Sequence, residues 1–304
     1  MSALLCERVC NLGQALVFSE AEELLNELVG VSVSAKQIER LCLYFGDQVA
    51  EQIPEAADAI EGQRLYAMLD GSRVLTCEKG WKEVKLGRLF AESDHEKIGN
   101  RGAIAHSCYV AHLGSKDVFL PEFERALSRA RHQQLVLVAD GASWIWEWAE
   151  REHPEAVQIL DYYHVKQALW RYAQVHFTSK RRRLSWLEQQ EDRLFEDAVE
   201  EVIEEVTSFG YRSLSDLEEQ GRLLSYLKNN QVRMRYGRYR KQGLMIGSGP
   251  IESAHRNVLQ QRMKLAGQRW SEPGAQAVMN LRVLHKSGHW SALIKETGQL
   301  KPAA

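Results

Sequence analysis

Three acidic side chains, Asp70, Asp140 and Glu252, stand where carboxylates perform phosphoryl-transfer chemistry if the fold gathers them. Asp70 closes one expected strand (RLYAMLDG), Asp140 closes another (QLVLVAD), and Glu252 falls in the first turn of an expected helix (PIESAHRNVLQQRMKLAG). Open α/β sheets place chemistry in the crevice at the carboxyl ends of neighbouring parallel strands. Hard carboxylate oxygens suit Mg²⁺ or Mn²⁺, and two such ions ~4 Å apart activate a nucleophile and stabilise the leaving oxygen of an in-line displacement. The reaction class is then phosphodiester cleavage or strand transfer. Each carboxylate also has an ordinary reading. Asp70-Gly71 and Asp140-Gly141 are common turn dipeptides, and a Glu near a helix start is favoured by the macrodipole alone.

Asp161 competes with Asp140 because it too ends an apolar strand, and His164 follows three residues later on the same face of the next helix. Such a pair binds metal, aids proton transfer, or simply caps and packs. Charge is distributed unevenly around these groups. The chain's formal net charge is only -2, yet residues 228–269 carry ten basic side chains against the single acid Glu252. Arg233, Arg235, Arg238, Arg240, Lys241, Arg256, Arg262, Lys264 and Arg269 belong to this run, with Tyr226, Tyr236 and Tyr239 interleaved. Clustered cations with aromatic rings form a footprint for a polyanion such as nucleic acid; the plain alternative is a solvated basic helix.

The elements that must position these groups fall into blocks. Residues 1–60 carry three basic and ten acidic side chains and read as an N-terminal helical region. SEAEELLNELVG is capped at Ser19 and closed by Gly30, and a second helix restarts after Ser34, giving a helix-turn-helix outline. As phosphate contacts the second helix offers only Lys36 and Arg40, so a structural helical hairpin fits as well as a DNA reader. Residues 61–176 change period: three strands with turns at Glu78-Lys79-Gly80 and Gly99-Asn100-Arg101-Gly102, then helices alternating with apolar strands. The order βββαβαβα is the layout of an RNase H-like mixed sheet, so the expected fold class is α/β. Residues 177–242 read as an all-α insertion, and residues 243–304 as the Glu252 helix and C-terminal region.

Composition is that of a soluble globular protein, with 44% hydrophobic and 26% charged residues. Five cysteines give no disulfide framework and suit a reducing cytoplasm. Glu7 and Arg8 interrupt any signal-peptide core, and no apolar run is long enough to span a bilayer. Zinc is disfavoured: His106, Cys108 and His112 share a strand face but lack a fourth ligand, and Cys6 and Cys10 lack a second pair. The Gly247-Ser248-Gly249-Pro250 turn has no phosphate-loop lysine.

Taken together, LDGSRV, GWKEVKLGRLF, VADGASWIW, QILDYYHVKQALW, IGSGPIESAHR and QRMKLAGQRWS resemble transposases of bacterial insertion sequences of the Kra type, relatives of the Mutator-like group. The likeness spans about residues 60–290. It implies an RNase H-like enzyme with an Asp-Asp-Glu triad at Asp70, Asp140 and Glu252, and a helical insertion before the Glu helix. The string at Asp161 and His164 is similar to the Asp-x-x-His signature of the Mutator-like group. The resemblance further implies two Mg²⁺ or Mn²⁺ ions held by the triad, cleavage of double-stranded DNA at element ends, and joining of the 3′-hydroxyl to target DNA. His255 and Arg256 would meet the scissile phosphate region, Arg262, Lys264 and Arg269 would follow the backbone, and Trp270 would stack on a base or pack the helix end. A homodimer or higher oligomer on DNA in the bacterial cytoplasm or nucleoid is expected, because an element has two ends. Two other readings stand beside this one: a catalytically silent DNA-binding or regulatory derivative, and an RNase H-like nuclease without strand transfer.

Overall fold

The computed structural model describes residues 1–98 and 101–299, and the chain divides into two compact units, residues 1–135 with 250–304 and residues 136–249. These units cut across the four segments expected from the sequence. The fold is mixed α/β with a five-stranded sheet that includes parallel pairing.

The first unit opens with helices α1 (Ala3–Ala15), α2 (Phe18–Val29) and α3 (Ala35–Gln48). The Ser2 and Ser34 hydroxyls accept from backbone N–H groups of Leu5 and Gln37, which caps α1 and α3. Gly30 ends α2 in the left-handed conformation at φ 67°, while the start of α2 lies at Phe18 rather than at a Ser19 cap. Ile38, Cys42 and Phe45 bury one face of α3. The Lys36 ammonium is bound to Glu39 at 2.7 Å, leaving Arg40 as the only uncommitted cation of the expected phosphate pair.

Strands β1 (Glu61–Thr76) and β2 (Gly80–Ala91) form a long antiparallel hairpin. The turn at residues 77–79 agrees with the sequence reading, but Asp70 does not end its strand. It sits within β1 opposite Leu86, because the Asp70-Gly71 pair continues the ladder instead of turning. A short hairpin of β3 (His95–Ile98) and β4 (Arg101–Ile104) follows, which periodicity did not indicate. The expected turn at Gly99-Asn100 lies outside the described residues. Next come β5 (Cys108–Leu113), antiparallel to β2, helix α4 (Lys116–Leu127), and β6 (Arg131–Ala139), which starts in the first unit and ends in the second.

In the second unit, α5 (Ser143–Glu152) leads to β7 (Val157–Leu160), parallel to β6. The sheet order is β5-β2-β1-β6-β7. Helices α6 (Tyr162–His176), α7 (Lys180–Phe195), α8 (Val199–Ser208), α9 (Leu214–Asn230) and α10 (Tyr236–Lys241) complete the unit. Helix α7 ends at Phe195, and Asp197 takes φ 63° before α8 begins. Val199, Val202 and Val206 then form the buried face of α8.

The chain returns to the first unit through α11 (Gly249–Ala254), a π-helical turn (His255–Gln260), α12 (Gln261–Met263), α13 (Glu272–Lys286) and α14 (Ser291–Gly298). A π turn leaves helix carbonyls without their usual partners. The buried Arg282 of α13 answers this by donating to the carbonyls of Asn257 and Val258, and also to Gln14 O at 2.6 Å. Its burial, with Arg262 nearby, pushes the Arg282 pKa down to about 10.

Candidate functional site

In the first unit, Asp70 meets the π turn that follows Glu252. Asp70 Oδ1 accepts its neighbour's N–H, from Gly71, at 2.6 Å, and Oδ2 lies 2.9 Å from His255 Nε2. The carboxylate is 29% exposed, whereas the imidazole is only 7% exposed and neither of its nitrogens has an aligned hydrogen-bond partner. The approach of His255 to Asp70 is therefore a close contact rather than a well-directed hydrogen bond. Arg88 of β2 fixes the start of α11: its Nη1 donates to Pro250 O at 2.8 Å while Nε and Nη2 hold Ser107 Oγ. Burial lowers the Arg88 pKa. Glu252 projects from this anchored turn, exposed and without an ion pair or hydrogen bond among the described residues. Lys264 reaches β1 as well, donating to Ser72 Oγ at 2.6 Å; burial lowers its pKa and the charge of Asp70 opposes that shift.

Other expected DNA contacts of this unit are placed differently. Arg262 is 1% exposed, with Nε on Gly13 O at 3.2 Å and the guanidinium 4.8 Å from each of the Phe18 and Trp270 ring centres. Burial pushes its pKa down to about 10. Trp270 is buried too: its Nε1 donates to Met263 O, and its backbone bridges to Leu75 and Cys77 beside β1. Of the two roles offered for Trp270, packing is the one its position fits. Arg256 and Arg269 remain exposed, without an ion pair or side-chain hydrogen bond among the described residues.

The second unit holds a separate acidic arrangement. Asp140 does follow the last residue of β6, and its Oδ1 accepts from Ala142 N at 3.0 Å while its carbonyl accepts from Trp146 Nε1 at 2.8 Å. Gly141 permits close approach here, since a Cβ would lie 2.3 Å from the Tyr226 ring of α9. The Tyr226 hydroxyl is buried without a hydrogen-bond partner among the described residues, and burial together with the charges of Asp140 and Asp161 raises its pKa. Asp161 caps α6 and is fully buried. Tyr163 N–H donates to its Oδ1 at 2.9 Å; Ser248 Oγ and His164 Nδ1, the latter at 2.6 Å, both bind Oδ2. Burial works against the Asp161 charge, yet the three hydrogen bonds outweigh it and hold the pKa below the usual carboxylate value. An ionised carboxylate only accepts, so His164 Nδ1 is the donor in this pair. The His164 side chain is 38% exposed. Gly247 lies against the Tyr163 ring, where a Cβ would come within 2.7 Å, and thereby delivers Ser248 to Asp161.

The basic run is largely internal at its start. Arg233 is 3% exposed, ion-paired with Glu150, bonded to Gln158 Oε1 at 2.9 Å and stacked 4.5 Å from the Trp146 ring centre. Arg235 grips Glu200 with two nitrogens at 2.9 and 2.5 Å. Tyr236 and Tyr239 donate to the carbonyls of Leu160 and Gln158, so their rings pack instead of offering stacking faces. Arg238, Arg240 and Lys241 stay exposed, Arg240 over the Phe195 ring.

Nothing in the sequence signals Arg88; Ser248 is marked only as part of the glycine-flanked turn before Glu252, and Tyr226 only as a stacking ring among the arginines. His106, Cys108 and His112 do not converge: His106 pairs with Asp94, Cys108 is buried, and His112 lies 3.9 Å from Glu122. Cys6 and Cys10 are buried thiols. The free carboxylate of Glu252 and the half-exposed one of Asp70 suit a hard divalent cation in kind, although among the described residues no group of three or more His, Cys, Asp or Glu side chains is assembled around one point. Among the same residues no helix is long and apolar enough to cross a membrane. No curated protein is detectably similar in sequence. A family model does match, over residues 15–296, and the chain belongs to the uncharacterised protein family UPF0236.

Proposed function

We propose that this protein is a DNA transposase of an insertion sequence, built on an RNase H-like sheet, with Asp70, Asp140 and Glu252 as its catalytic carboxylates. The observation that carries the reading is the 2.9 Å approach of His255 to Asp70, which joins the first acidic motif to the motif of Glu252 from the far end of the chain. The βββαβαβα succession of the main sheet and its order β5-β2-β1-β6-β7 support the RNase H-like layout.

Asp70 and Glu252 would hold Mg²⁺ or Mn²⁺, which when bound supplies an activated nucleophile and charge stabilisation for in-line attack on a phosphodiester. His255 orients the Asp70 carboxylate. Arg88 sets the direction of Glu252 by holding Pro250. Lys264, beside Asp70, offers a cation for a phosphate, and Asp161, accepting from His164 Nδ1, orients the imidazole for proton transfer. Double-stranded DNA is the partner, and pairing of two element ends calls for at least a dimer.

Supercoiled and element-end DNA incubated with Mg²⁺ test the proposal. Wild type gives cleaved and joined products, and Asp70→Ala and Glu252→Ala give neither. Nicked products without joining assign a nuclease. DNA binding with no cleavage by any form assigns the silent regulatory derivative.

A further inference from the structure

The second unit pairs five of its twelve arginines with glutamates, and the densest run of basic side chains is left uncompensated. Lys180, Arg181 and Arg182 open α7, all exposed, and among the described residues none has an ion pair or hydrogen bond. Arg183 beside them has only a long contact to Thr178 O, at 3.5 Å. The position is unfavourable on internal grounds. A helix start is the positive pole of the macrodipole, no acid stands in the first turn of α7, and Ser179 makes no capping hydrogen bond. Lys180 and Arg183, three residues apart on one face, add like-charge repulsion. Elsewhere in the same unit Arg193, Arg222, Arg233 and Arg235 each meet a glutamate.

We propose that the start of α7 is a docking surface for the phosphate backbone of duplex DNA. Three exposed cations within one helical turn, about 5 Å of axis, match a polymer carrying one charge per ~1.7 Å. Arginine forks bind phosphate oxygens in pairs and keep their charge at any working pH. The surface contacts DNA away from the chemistry: the 15 residues of α6 separate it from Asp161, about 22 Å along the helix or some six base pairs of duplex. It anchors the substrate and lowers KM, leaving kcat alone. Identifying the polyanion as DNA rests on the transposase reading.

The test is fluorescence anisotropy of a labelled duplex of about 30 base pairs across a salt series, using the full chain and the triple variant Lys180→Ala, Arg181→Ala, Arg182→Ala. The variant binds at least ~10-fold more weakly at low salt, and the slope of log K against log salt falls by about 2 to 3, close to one per lost phosphate contact. Its melting temperature holds or rises, because like-charge repulsion at a helix start is relieved, and Arg181→Lys with Arg182→Lys keeps most of the slope. An unchanged slope, or a wild type that does not bind DNA, overturns the surface. So does loss of binding to phosphatidylserine vesicles with DNA binding intact, which would assign a lipid headgroup instead. Binding through α7 without cleavage leaves the surface standing and ends the transposase reading; cleavage with an unchanged slope does the reverse.

Discussion

Two aspartate–histidine pairs, one in each unit, are built in opposite senses. At Asp70 and His255 the carboxylate is the half-exposed member, and the imidazole is buried without an aligned hydrogen bond. At Asp161 and His164 the carboxylate is fully buried under three donors, and the imidazole is the half-exposed member. Whichever group reaches solvent is the one available to a substrate. The first pair offers carboxylate oxygens, the chemistry of cation binding; the second offers an imidazole nitrogen, the chemistry of proton transfer. Residue type alone does not separate the two.

Asp161→Ala should separate them most strongly. It strands Ser248, His164 and the Tyr163 N–H in a buried site, and should cost about 3 kcal/mol in urea unfolding, where loss of a buried charged acceptor is among the larger single-residue effects. The pH dependence has a definite sign. Asp161 has a depressed folded pKa, so its stabilisation is present above the unfolded value near ~4 and is lost as pH falls through the folded one. The gap between wild type and variant should therefore close in acid. Asp70→Ala, with a partly exposed carboxylate and no comparable donor set, should unfold with wild-type energetics to within about 1 kcal/mol.

Activity should divide in the same way. His164→Ala should lower the cleavage rate about 100-fold, in the range of a lost acid–base group. His255→Leu removes a supporting group, not a reacting one. A loss of about 10-fold in cleavage is expected, restored in part by higher metal concentration, with stability nearly unchanged because no good hydrogen bond is broken. The smallest effect belongs to Arg235→Ala, whose pairing with Glu200 is partly solvated; thermal unfolding should report a loss of about 0.5 kcal/mol, with no change in DNA affinity.

How much of this arrangement is legible in the sequence depends on the reach of each signal. Strands β6 and β7 and helices α4, α5 and α6 follow from apolar period and length, and Asp140 and Asp161 at the strand ends follow with them. Asp70 is legible as a residue but not as a position. A local rule reads Asp-Gly as a turn, while twelve paired residues carry β1 past it. The β3 and β4 hairpin escapes because HEKI and RGAI lack two-residue alternation. Charge counting fails for a different reason. It registers Arg233, Arg235 and Arg262 but cannot see Glu150, Glu200 or the Phe18 and Trp270 rings that enclose them. Ser248 and Tyr226 illustrate the same limit, since each is significant only through a partner distant in the chain.

Whether Asp70 and Glu252 serve one divalent-cation centre is decided by calorimetric titration of Mn²⁺ into the full chain. Saturable binding by wild type, weakened at least ~10-fold by Asp70→Asn and by Glu252→Gln separately, is the predicted result. Equal Mn²⁺ binding by all three proteins, or none by wild type, would contradict it.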